Sequence, residues 1–229
     1  MTESLAIDPN SIAWSVPETD RGKHLADRPL LILMHGRGSN EQDLFSLVPL
    51  LLDRFVIASI RAPRVVVPGS YSWFPADSAG LPSPGSGDSA VAAVLDWIDT
   101  LVLAGPIVLL GFSQGGAMAV HAVRHAPARF AAAVNLSGFV IPAIRAEDVI
   151  LESLRPPVFW GRDVEDPIIS ADAIAITSAW LPAHSRLTAR LYPALGHSIS
   201  QGEIVDVNEF LRGVLGDANS GTDGSAGPA

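Results

Sequence analysis

The sequence contains no cysteine. That absence removes disulfides, thiolate nucleophiles and cysteine-based zinc sites. Positive charge is also scarce: 15 Lys and Arg against 24 Asp and Glu leave a formal charge of −9. A nucleic-acid partner would want a basic face, so none is expected. Long hydrophobic runs are missing too. The apolar stretches are broken by Pro, Gly or charge well short of the ~18 residues a membrane helix needs, so no stable membrane insertion is expected. The opening "MTESLAIDPNSIAW" carries Glu3 and Asp8 but no basic n-region and no apolar h-region. It does not read as a signal peptide, and a cytoplasmic soluble protein is the expectation.

What is present is apolar. Hydrophobic residues make up 48% and charged residues 17% of 229 positions, enough for one substantial core. Short apolar runs alternate with helical patterns. "PLLILMHG", "FVIASI", "PIVLLGF", "AAAVNLSG", "PVFWGR" and "TARLYPAL" are continuous rather than alternating, as in strands buried on both faces of a parallel sheet. Between them, "NEQDLFSLVPLLL" starts at Asn40 as N-cap, and "GDSAVAAVLDWIDTLVLAG" carries an amphipathic stripe that points to a C-cap at Gly105. "SQGGAMAVHAVRHA", "ISADAIAITSAWL" and "GEIVDVNEFLRGVL" are three further helices. This alternation predicts a three-layer α/β/α sandwich with a mostly parallel sheet, right-handed crossovers and no large cap domain. "SIAWSVP" adds an antiparallel edge strand. The long Arg61–Asp88 segment, rich in Pro, Gly and Ser, reads as a functional loop because it also holds Tyr71, Trp73 and Phe74. Residues 1–215 form one domain in this reading. Gly216–Ala229, without bulky apolar residues, reads as a disordered tail.

The chemistry centres on "LLGFSQGG". Ser113 lies in G-x-S-x-G, after a buried strand and before an amphipathic helix. A tight strand-to-helix turn holds a serine hydroxyl at the sheet edge, and the helix N-terminus faces a developing oxyanion. A serine needs a base, and the base an orienting acid, in the chain order Ser, Asp or Glu, His. "GRDVEDPII" offers Asp166, where the loop turns back, with Asp163 as the alternative acid. "YPALGHSIS" offers His197 after the last strand. "LMHGRGSN" supplies glycines that let a backbone N–H, that of Arg37, face the reaction centre beside the N–H of Gln114. A dinucleotide loop is rejected there, because Glu41 stands where G-x-x-G needs its glycine and would repel a pyrophosphate. His35 reads as a hydrogen-bonded structural residue. His121 and His125, four apart on a helix, could share a metal, but the sequence places no third ligand near them, so no metal and no cofactor are expected. Trp73, Phe74 and Leu81 are the expected walls of an acyl pocket.

These pieces resemble the α/β-hydrolase superfamily and, more narrowly, the phospholipase/carboxylesterase family that includes the acyl-protein thioesterases. The matching segments are "LMHGRGSN", "SIRAP…YSWF", "GFSQGGAMA", "DPII" and "LGHSI", spread from about Leu30 to Leu215. The resemblance implies a cofactor-free Ser-His-Asp esterase acting on carboxylic esters or thioesters. It assigns Ser113, Asp166 and His197 to the triad and the Arg37 and Gln114 amides to the oxyanion hole. The chain departs from the family where His-Gly-Leu-Gly-Asp becomes His35–Gly36–Arg37–Gly38–Ser39. A longer segment before the acid keeps Asp163 in contention. The expected activity is that of a small-ester carboxylesterase. The alternatives are an acyl-protein thioesterase or lysophospholipase and a non-catalytic hydrolase-like binding protein. The expected partner is a small ester or acyl substrate, and apolar surface near the long loop could support a homodimer. A dienelactone-type hydrolase would need a cysteine, and a metal-dependent one a ligand cluster.

Overall fold

A computed structural model describes residues 5–75, 82–83, 85–143 and 145–220, with side chains up to residue 216. Seven strands form the central sheet. They are β1 (Ala13–Trp14), β2 (Leu30–Met34), β3 (Val56–Ile60), β6 (Ile107–Phe112), β7 (Ala132–Leu136), β8 (Pro157–Asp163) and β9 (Arg186–Tyr192), in the spatial order β1-β3-β2-β6-β7-β8-β9. All pair in parallel except β1, which runs antiparallel to β3 with Ala13 opposite Ser59.

The continuous apolar runs follow from burial on both faces. In β2 all five residues are buried. Leu30, Ile32 and Met34 face one core, and Leu31 and Leu33 face the other. The first core lies under α1 (Glu18–Asp27), α3 (Asp88–Asp99), α4 (Gln114–His125), α5 (Asp148–Leu154) and α6 (Ala171–His184). The second lies under α2 (Glu41–Phe45) and α7 (Gln201–Ser220). The result is the expected three-layer sandwich, without a large cap.

Four local readings change. The Arg61–Asp88 segment contains a hairpin, β4 (Arg64–Val67) and β5 (Ser70–Ser72), because three valines lead into a Pro68–Gly69 turn. Helix α3 stops at Asp99 rather than running to Gly105, since the Thr100 hydroxyl turns back to the Trp97 carbonyl. Gly105 instead lets the chain pass close to the Pro29 backbone. Strand β9 is an edge strand with much of its length exposed, and its arginines keep that edge from pairing with another chain. Helix α7 carries on to Ser220, into the stretch read as a tail; residues 221–229 lie outside the described residues. Helices α1 and α5 left little apolar periodicity to read, each burying a single leucine, Leu25 and Leu151. Among the described residues, no helix is long and apolar enough to cross a membrane.

Candidate active site

The site forms where the central strands end. Ser113 joins β6 to α4 and holds φ 55° and ψ −117°, a conformation non-glycine residues rarely adopt. Such backbone costs on the order of 1–3 kcal/mol and persists only where its surroundings fix it. Here the Ser113 N–H donates to the Leu136 carbonyl at 2.8 Å, and its own carbonyl accepts from Ala117 at 3.0 Å. Neighbouring glycines make room for the turn. A Cβ on Gly111 would overlap the Gly115 carbonyl, and one on Gly115 would overlap that of Met34.

His197, in the loop between β9 and α7, meets the serine. Its Nε2 lies 2.9 Å from Ser113 Oγ, and its Nδ1 lies 2.8 Å from Asp166 Oδ2. The Asp166 side chain is 1% exposed. Its other oxygen, Oδ1, accepts the N–H groups of Ile168 at 2.8 Å and Ile169 at 3.0 Å. One carboxylate therefore orients the imidazole and closes the turn beneath the two isoleucines. Phe112 packs against the imidazole, with ring centroids 4.9 Å apart.

Asp163 does not reach the imidazole. It is buried at the end of β8, where Oδ1 accepts the Glu165 N–H at 2.7 Å and Oδ2 accepts the Gly196 N–H. The Glu165 bond, followed by that of Gly196, holds its carboxyl below the usual aspartate range. The alternative acid thus ties β8 to the residue before His197. Its place at the strand end, where a catalytic acid is expected, is what makes it look equivalent to Asp166 in the sequence.

The backbone N–H groups of Arg37 and Gln114 enter no turn, loop or cap hydrogen bond among the described residues. His35 supports the Arg37 loop from below. Its Nδ1 donates to the Gly36 carbonyl at 2.7 Å and its Nε2 accepts the Ala62 N–H at 3.0 Å. Burial keeps this imidazole neutral, lowering its pKa. A two-pronged ion pair between Arg61 and Glu41, at 2.6 and 2.5 Å, fastens α2 to the end of β3 beside it.

The Gln114 side chain makes contacts that its motif did not announce. Its Oε1 accepts the Trp73 N–H at 2.8 Å and its Nε2 donates to the Phe74 carbonyl at 2.8 Å. An amide side chain carries the acceptor and the donor that these adjacent groups need. The consequence separates the expected pocket residues. Phe74 lines a cavity of about 330 Å³ with Ser113, His197, Phe112, Phe139 and Ile168. Trp73 does not; it is fully buried, and its indole N–H donates to the His35 carbonyl at 2.8 Å. Leu81 lies outside the described residues.

The fold also revises the reading of His121 and His125. A third potential ligand is close by: Asp88, the first residue of α3. It is 33 residues from His121 in the chain, so helix spacing could not have shown it.

Comparisons with known proteins bear on the family and the fold. A profile of the phospholipase/carboxylesterase family matches residues 21–215. A probable carboxylesterase of Oryza sativa subsp. japonica is 28% identical over 211 residues, covering 82% of this chain and 79% of that one. Acyl-protein thioesterase 1 of Debaryomyces hansenii is 31% identical over 113 residues, 48% of each chain. The crystal structure of the Bacillus cereus carboxylesterase superposes with a TM-score of 0.72 at 21% identity, covering 89% of this chain and 93% of that one, and speaks for the fold alone. The chain belongs to the phospholipase/carboxylesterase family of α/β-hydrolases and is a hydrolase acting on ester bonds.

Proposed function

We propose that the protein is a serine carboxylesterase that works through an acyl-enzyme, with residues 1–215 as one catalytic unit. The observation that carries this reading is the hydrogen-bond chain Ser113–His197–Asp166, at 2.9 and 2.8 Å, beside a mostly apolar cavity.

In this mechanism His197 Nε2 takes the proton as Ser113 Oγ attacks the acyl carbon. The oxyanion rests on the amides of Arg37 and Gln114, helped by the N-terminus of α4. His197 then protonates the leaving alkoxide, and the acyl group stays on Ser113. Water attacks next, giving its proton to His197; the second oxyanion collapses, the bond from the acyl carbon to Ser113 Oγ breaks, His197 returns the proton to Oγ, and the acid leaves. Asp166 holds the Nδ1–H tautomer and stabilises the imidazolium. The cavity is at the small end of ligand pockets, which favours short to medium acyl chains. Thioester hydrolysis is a second reading, supported by the similarity to acyl-protein thioesterases.

The test is release of p-nitrophenol from acetate, butyrate and octanoate esters by the wild type and by Ser113→Ala, Asp166→Asn and Asp163→Asn. Activity should disappear in the first two variants and persist in the third, with acetate or butyrate preferred. A folded wild type inert on every ester and thioester would leave a hydrolase-like binding protein.

A further inference from the structure

Two turns beyond Ser113 on α4, three side chains converge at a point the ester chemistry does not use. Asp88 Oδ1 lies 2.8 Å from His121 Nε2 and 3.2 Å from His125 Nε2, and the two Nε2 atoms are 3.3 Å apart. They form a nearly regular triangle. A tetrahedral zinc ion with bonds of 2.0–2.1 Å needs ligand atoms about 3.3 Å apart on each face. We propose that Asp88, His121 and His125 form a binding site for a divalent transition-metal ion of the zinc class, which clips the start of α3 to α4.

The donor set suits such an ion. Two imidazole nitrogens and one carboxylate oxygen are donors that zinc accepts, and three protein ligands leave a fourth position for water. His121 is 1% exposed and fixes the back of the site, while Asp88, at 40%, opens it to solvent. Burial lowers the His121 pKa to about 4 and depresses that of His125 as well. His121 Nδ1 has no partner among the described residues.

Arg145 supplies the positive charge in the metal-free form. It donates to both oxygens of Asp88 at 3.1 Å and approaches His125 Nδ1 at 3.4 Å. Its Nε is 3.7 Å from Glu147, to which the guanidinium can move. The entering cation and Arg145 thus exchange as counter-ions of Asp88.

The experiment is calorimetric titration of tag-free protein with zinc chloride, paired with the visible spectrum after cobalt(II) addition. One ion per chain should bind, with the intense bands of four-coordinate cobalt. His125→Gln and Asp88→Asn should each weaken binding at least about tenfold, and ester hydrolysis by both would report that they are folded. Arg145→Gln should bind more tightly than wild type, and His197→Ala should bind as wild type does. Absence of saturable binding would overturn the site. So would binding that survives His125→Gln but is lost in His197→Ala. Equal or weaker binding in Arg145→Gln would overturn the exchange.

Discussion

Helix α4 meets a carboxylate–imidazole assembly at each of two places, and the two are wired differently. At its start, His197 has one partner per ring nitrogen: Asp166 on Nδ1 and Ser113 on Nε2. Two turns on, His121 and His125 both aim Nε2 at a single oxygen of Asp88. The first arrangement gives the ring a direction along which a proton can travel. The second has no direction, only convergence, which suits holding something in place. The same residue types therefore perform different chemistry according to which nitrogen faces which neighbour.

The sharpest way to break this comparison is to change one acid in each assembly. Asp166→Asn should cut kcat about 10⁴-fold, because the amide imposes the wrong tautomer on His197. Asp88→Asn should leave ester hydrolysis within about threefold of wild type, since that carboxylate touches no reacting atom. Steady-state kinetics on p-nitrophenyl butyrate measures both. Comparable losses would mean that the two assemblies are coupled.

Another acid, Glu203, has neither kind of partner. Glu203 is fully buried, and neither carboxyl oxygen is hydrogen-bonded among the described residues. Desolvation pushes its pKa from 4.5 up to about 7. The folded state thus holds this proton more tightly than the unfolded chain does. The contribution of this group to stability is full below pH 4.5 and is lost as pH rises to about 7, after which its cost is constant. Glu203→Gln should therefore raise stability at pH 8 by about 2–3 kcal/mol and change little at pH 4.5. Thermal melts at the two pH values give the answer, and an equal gain at both would refute it.

A smaller effect is expected at Gln114. Replacing it with alanine keeps the amide but frees the Trp73 and Phe74 backbone groups, so kcat/KM should fall roughly 10- to 100-fold. The loss should be greater for octanoate than for acetate. A uniform loss along the ester series would mean that the side chain does not set the wall.

These contrasts also explain what the sequence could and could not show. Ser113 and His197 were legible because each follows a strand and carries a glycine signature. Asp166 was separable from Asp163 by its Pro167 turn, yet only the fold shows that Asp163 is spent on Gly196. The aromatic composition of its loop points to Trp73 as a pocket wall. Loop composition cannot say that the indole turns inward to His35. Asp88 was hidden because its histidines belong to a different helix. The two-core sheet was readable from five-residue apolar runs, whereas the β4–β5 hairpin was masked by the length of the segment around it.

The anchoring of the pocket has an evolutionary consequence. One wall hangs from the Gln114 side chain and the other from Oδ1 of Asp166. Insertions or deletions in either wall would therefore carry a pleiotropic penalty, disturbing rate and selectivity in one step. Side-chain exchange at Phe74, Phe139 or Ile168 carries no such linkage. Diversification of this scaffold should proceed by point substitution at those positions, with loop length held constant, and directed-evolution libraries that respect that division should retain far more active members.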